Sequence, residues 1–159
     1  MKTEWKTYLE TIGIQGGFLK RVQKVLDFYQ QVYPKQVEDV FVTEYFDKEG
    51  NRQYQNVWLF SSESVMEAKQ FLTGDDFDSA PLRRQVRYWN IKKIKYNFRK
   101  ASTESRMLLD FRLATGDRCE LKASRENCDF LKDIFLKHVL PNAIKCPADA
   151  QQMDAGDGK

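Results

Sequence analysis

Apolar residues recur at two different periods along this chain, and the change of period divides it. Trp5, Tyr8, Leu9 and Ile12 stand at i, i+3, i+4 and i+7, which makes one stripe of a helix. Gly13, Gly16 and Gly17 interrupt it as helix punctuation. Phe18, Val22, Val25, Tyr29 and Val32 then resume the helical spacing as far as Pro34, which disfavours helix both at itself and at Tyr33. From Val37 to Phe60 the composition turns β-branched and aromatic. VEDVFVTEYF and QYQNVWLF flank Asp47, Lys48, Glu49, Gly50 and Asn51, and this pattern predicts a hairpin. Ser61 to Leu72 reads as a short helix, with Ser61 or Ser62 as N-cap, Val65, Ala68 and Leu72 at helical spacing, and Gly74 past the end.

The second half alternates more regularly. Ile94, Tyr96 and Phe98 interleave with Lys95, Asn97 and Arg99, and Met107, Leu109, Phe111 and Leu113 interleave with Leu108, Asp110 and Arg112. Ala114, Thr115, Gly116 and Asp117 reverse the chain into Arg118 to Ala123, where Cys119 and Leu121 point one way and Arg118, Glu120 and Lys122 the other. Three antiparallel strands in a meander are predicted. Ser124 is placed as the cap of a helix whose Cys128, Leu131, Ile134, Phe135 and Val139 form a broad apolar stripe, ended by Pro141. Beyond it, residues 142–159 read as a flexible polar tail.

A run of antiparallel strands closed by one C-terminal amphipathic helix, from about Val37 to Leu140, resembles the pleckstrin-homology-like (PH-like) barrel of bacterial proteins. The expected fold is therefore α+β: an antiparallel sheet or partly open PH-like barrel, closed by the C-terminal helix, with the N-terminal helices packed alongside. One domain over residues 1–141 is expected, with helices in 1–34 and the PH-like part in 37–141. The phosphoinositide-binding loop of that family is not carried over, because the matching turn here, DKEGNR, is mixed in charge.

Charge adds an asymmetry to this picture. Between Arg83 and Arg106 nine Lys or Arg residues meet a single acid, Glu104, so the remainder holds 17 of the 26 basic residues and 22 of the 23 acids. The net +3 of the whole chain conceals a band of +8 against −5 elsewhere. The same band carries Tyr88, Trp89, Tyr96 and Phe98. On one unbroken strand from Val86 to Lys100, Trp89 and Ile91 would fall among the cations Arg87, Lys93, Lys95 and Arg99. Three arrangements resolve this: a turn or bulge near Asn90, cover by the N-terminal helices, or an exposed stacking platform of the kind single-stranded nucleic-acid binders use.

Catalytic chemistry finds little support. G-x-S-x-G, H-E-x-x-H, Walker and dinucleotide motifs are all missing, and the only histidine, His138, is read as a helix-capping group near the end of the terminal helix. Cys119, Cys128 and Cys146 lack C-x-x-C spacing, and no apolar run reaches the roughly 18 residues of a membrane span. The expectation is a cytoplasmic, non-enzymatic module without cofactor or metal, whose partner is a protein. Two alternatives stay open. One is an anion binder, of single-stranded nucleic acid or acidic lipid, through Arg87, Trp89, Lys93, Lys95 and Arg99. The other is an enzyme with an acidic site among Glu63, Asp75, Asp76 and Asp78. Self-association of the chain is open as well.

Overall fold

The computed structural model describes residues 4–32, 36–69, 83–88, 90–100, 105–145 and 152–155. The class is α+β, and the chain divides into two compact units, Met1–Val86 and Arg87–Lys159. Asp75, Asp76 and Asp78, together with Trp89 and Cys146, lie outside the described residues.

Helix α1 (Glu4–Thr11) buries Trp5, Tyr8 and Leu9, as the stripe predicts. Its end is a glycine-terminated reversal: the Gly13 N–H donates to the Glu10 carbonyl at 3.0 Å and the Ile14 N–H to that of Leu9 at 2.8 Å. Gly13 sits at φ +90, where a side chain would be strained. Helix α2 (Gly17–Val32) buries Val22, Val25 and Leu26, but Phe18, assigned to the same stripe, is exposed and lies under the Arg21 guanidinium. At the first turn of a helix, an aromatic covered by a cation needs no place in the core.

Strands β1 (Asp39–Phe46) and β2 (Arg52–Phe60) form the predicted hairpin. Asp47 organises its turn, its Oδ1 accepting from the N–H groups of Glu49 and Asn51 at 3.0 and 2.8 Å. The helix expected over Ser61–Leu72 is not formed in its described part: Ser64–Lys69 is strand β3, antiparallel to β2 with Phe60 opposite Val65. Ser61 uses its hydroxyl for a turn, accepting from the Ser64 N–H at 3.1 Å, while its own N–H reaches the Ser64 carbonyl at 2.9 Å. The oxygen that suits serine to an N-cap suits it equally to a tight reversal. Strand β4 (Arg83–Tyr88) completes a sheet ordered β1-β2-β3-β4.

One face of this sheet receives α1. The Tyr8 ring stacks on Phe41 with centroids 6.2 Å apart, and its hydroxyl accepts from the Val42 N–H at 2.9 Å. That N–H is next to a register shift between Val42 and Glu44. A bulge locally disrupts the ladder and can leave a backbone group in need of a partner. Tyr54 also donates its hydroxyl to the Ile12 carbonyl, pinning the end of α1 to β2.

The second unit holds the predicted meander. Strands β5 (Ile91–Lys100), β6 (Ser105–Leu113) and β7 (Arg118–Ser124) pair antiparallel. A short strand β8 (Gln152–Ala155), within the stretch read as a polar tail, pairs parallel to β5 and gives the order β7-β6-β5-β8. Backbone pairing does not require apolar side chains, so hydropathy carries no sign of such a strand. The strands thus fall into two sheets, and among the described residues neither closes into a barrel.

Two details of the closing helix depart from expectation. Ser124 is not its cap, because Ser124 is still in the ladder opposite Arg106. The chain turns over Arg125, at φ 52, before helix α3 (Asn127–Ile134) begins. Nor does Pro141 end the helix, which passes through a π-helical segment, Phe135–Val139, into α4 (Leu140–Lys145). In that segment the Leu140 N–H reaches back five residues to the Phe135 carbonyl. The wider turn accommodates a proline that would clash with the carbonyl four residues before it in a regular helix. The Asn142 amide then donates to the His138 carbonyl at 2.6 Å. Helix α3 packs on β6 and β7, and α4 on β5.

Candidate binding face on the second sheet

The meander separates apolar from charged positions by parity. Met107, Leu109, Phe111 and Leu113 of β6 are buried, as are Cys119, Leu121 and Ala123 of β7 and Ile94 of β5. Their alternates include Lys93, Arg106, Arg112, Arg118 and Lys122, all exposed. The turn at Thr115, Gly116 and Asp117 fixes the register, with the Leu113 N–H donating to the Asp117 carbonyl at 3.0 Å. Three cations therefore fall in one row across the strands: Lys93 opposite Arg112, and Arg112 opposite Arg118. Asp154 of β8, Lys95, Asp110 and Glu120 occupy the next row, and Arg99 and Arg106 pair two rows beyond it.

Two acids of this face, Asp110 and Glu120, are already engaged by cations. The Arg118 Nη2 lies 2.8 Å from Asp110 Oδ2 and 2.7 Å from Glu120 Oε2, and Lys122 Nζ is 3.4 Å from Glu120 Oε1. The hydrogen bond and negative charge of Asp110, with Glu120 behind them, raise Arg118 above the ordinary guanidinium range and keep it charged. Lys93 and Arg112 have no acidic partner among the described residues. Like charges directly opposite on neighbouring strands are destabilising, so this row lacks the compensation its neighbour has.

The residues singled out from sequence are divided by the fold. Arg87 lies on β4, in the other sheet, whereas Lys93, Lys95 and Arg99 take alternate positions on β5. The ribbon is thus two strands and not one. Ile91 is buried, and a register shift between Ile91 and Lys93 accounts for its lying three residues from the equally buried Ile94. Of the three arrangements weighed, the irregularity near Asn90 holds for Ile91. Sequence reasoning missed Arg112, Arg118 and Lys122 as companions of Lys93. The signal was present, because a four-residue reversal after Leu113 sets Arg112 against Arg118 once the strands are assigned.

A second polar cluster occupies the first unit. Glu44 is 2 % exposed, and its Oε2 accepts from Arg52 Nε at 3.1 Å and Nη2 at 2.8 Å. Glu67, also buried, accepts from the Asn56 amide at 3.1 Å. These carboxylates are held by their donors, and the cluster reads as a buried structural network. His138, far from capping a helix end, is buried within the π-helical segment. No group of three or more His, Cys, Asp or Glu residues able to hold a metal occurs among the described residues. No described helix is long and apolar enough to cross a membrane.

Comparison of the chain with family models, curated proteins and solved structures yields no match.

Proposed function

We propose that this protein is a non-enzymatic, cytoplasmic interaction module of PH-like type, and that another protein docks an acidic segment on the charged face of the second sheet. The observation that carries the reading is the exposed row Lys93, Arg112 and Arg118, set on a sheet whose opposite face is covered by α3 and α4. Such a face attracts negative charge, and its field speeds and orients the approach of an acidic partner. Support for the PH-like part is the element order: successive antiparallel strands in two sheets, then one amphipathic helix packed on the last strands.

Titration of a fluorescent polyglutamate peptide and of a single-stranded RNA oligonucleotide tests the reading. The peptide is expected to bind, and the double variant Arg106→Glu/Arg112→Glu, with unchanged circular dichroism, is expected to lose that binding. If RNA binds more tightly, with affinity falling about a thousandfold between 50 and 200 mM salt, the face is a nucleic-acid surface. Equal peptide binding by wild type and variant would rule the face out.

A further inference from the structure

We propose that Lys93 and Arg112 form an oxyanion subsite that takes the phosphate group of a phosphorylated segment in the partner protein. The inference rests on the reading of this face as the docking surface. The antiparallel register sets the two residues directly opposite each other, and both are exposed. Residues so paired have Cβ atoms about 4.5–5.5 Å apart, close enough for both long side chains to converge on one group. The third cation of the row does not compete, because Arg118 is bonded to Asp110 and Glu120.

Charge decides between a carboxylate and a phosphate. A partner's aspartate or glutamate brings one negative charge to two cations and leaves the pair half compensated. A phosphomonoester brings about −1.5 to −2 near pH 7, with three strong acceptor oxygens to share between an ammonium and a guanidinium fork. The ladder is also irregular here, with the register shift between Ile91 and Lys93 immediately beside the pair. Bulges recur beside functional sites because they re-aim side chains. In this one Ile91 and Ile94 both enter the core while Lys93 between them is exposed.

The test compares a short glutamate-flanked peptide carrying one phosphoserine with the same peptide carrying serine, titrated against the full chain in about 150 mM NaCl. Wild type is expected to prefer the phosphorylated form by about tenfold or more. Lys93→Gln/Arg112→Gln should bind both peptides alike, while Lys122→Gln, on the same face, should keep the preference. A wild-type ratio near one, or a preference that survives in the double variant, overturns the subsite. If both peptides bind wild type equally and with strong salt dependence, the docking face stands and only the subsite falls. If neither peptide binds, both readings fall.

Discussion

Strand β1 is buried at every position from Val40 to Glu44, whereas β6 alternates buried Met107, Leu109, Phe111 and Leu113 with the more open Leu108, Asp110 and Arg112. The first sheet buries both faces along the second half of β2 and along β3: Val57, Trp58, Leu59 and Phe60 and Ser64 to Ala68 are all inside. The second buries one face and leaves the other charged. Two-sided burial puts hydrophobic and even ionic groups where they serve stability, and one-sided burial frees a row of side chains for a ligand.

The largest effects should test that contrast directly. In β2, Trp58→Ala is expected to cost about 3–5 kcal/mol and its neighbour Leu59→Ala about 2–5 kcal/mol, because both faces are core. In β6, Leu109→Ala should cost about 2–5 kcal/mol, but the neighbouring Leu108→Ala less than about 1 kcal/mol. Urea unfolding of the four variants measures the parity of each sheet. A mild Leu59→Ala, or a Leu108→Ala as costly as Leu109→Ala, would erase the distinction.

Next in size is the ion pair inside the first unit. Arg52→Ala leaves Glu44 buried without its guanidinium, and a loss of about 3 kcal/mol is expected. Glu44→Gln combined with Arg52→Met removes both charges and should recover much of that loss. The same urea transitions check it: a double variant no more stable than Arg52→Ala would show that desolvation of the carboxylate is not the source.

Tyr8→Phe should cost about 1–3 kcal/mol, since the Val42 N–H loses its buried acceptor. It should also change the response to alkali. Burial pushes the Tyr8 hydroxyl well above its ordinary value, against the lowering effect of the Val42 bond. The unfolded chain therefore releases this proton near pH 10, while the folded chain retains it. Above that pH the folded state binds more protons, and stability falls as pH rises. In Tyr8→Phe the decline in stability from pH 9 to 11 should be shallower than in wild type, as read by unfolding at each pH.

The same contrast explains what was legible in the sequence. In the second sheet, alternation marked β5, β6 and β7 and sorted their faces, because one side meets water and the other meets α3 and α4. In the first, the strands between two buried faces carry no period of two. Val65 and Ala68 of β3, three apart, imitate a helix, and Ser61 supplied a false cap. Sequence alone ends the helix at Pro141, because a π turn, which depends on backbone geometry, leaves no pattern in hydropathy. The proposed docking face is half visible in the sequence: Lys93 stands out for its charged neighbours, but Arg112 and Arg118 join it only through register. Arg87 and Lys93, close in sequence, belong to different sheets.

The smallest effect concerns the charged row beside the proposed subsite. Glu120 holds Arg118 and Lys122 at 2.7 and 3.4 Å, and both cations are about half exposed. Solvent screens such pairs, so Glu120→Gln should cost less than about 1 kcal/mol at low salt and almost nothing near 1 M, where the Debye length is about 3 Å. Its effect on binding should be the larger one. Removing an acid from the face leaves more positive charge for an acidic peptide, so affinity for polyglutamate should rise as stability falls slightly. The one-sided sheet predicts this separation, because its outer charges bear on the ligand more than on the core. An equal loss of both stability and peptide affinity would place Glu120 in the packing of the sheet, and the second sheet would then resemble the first.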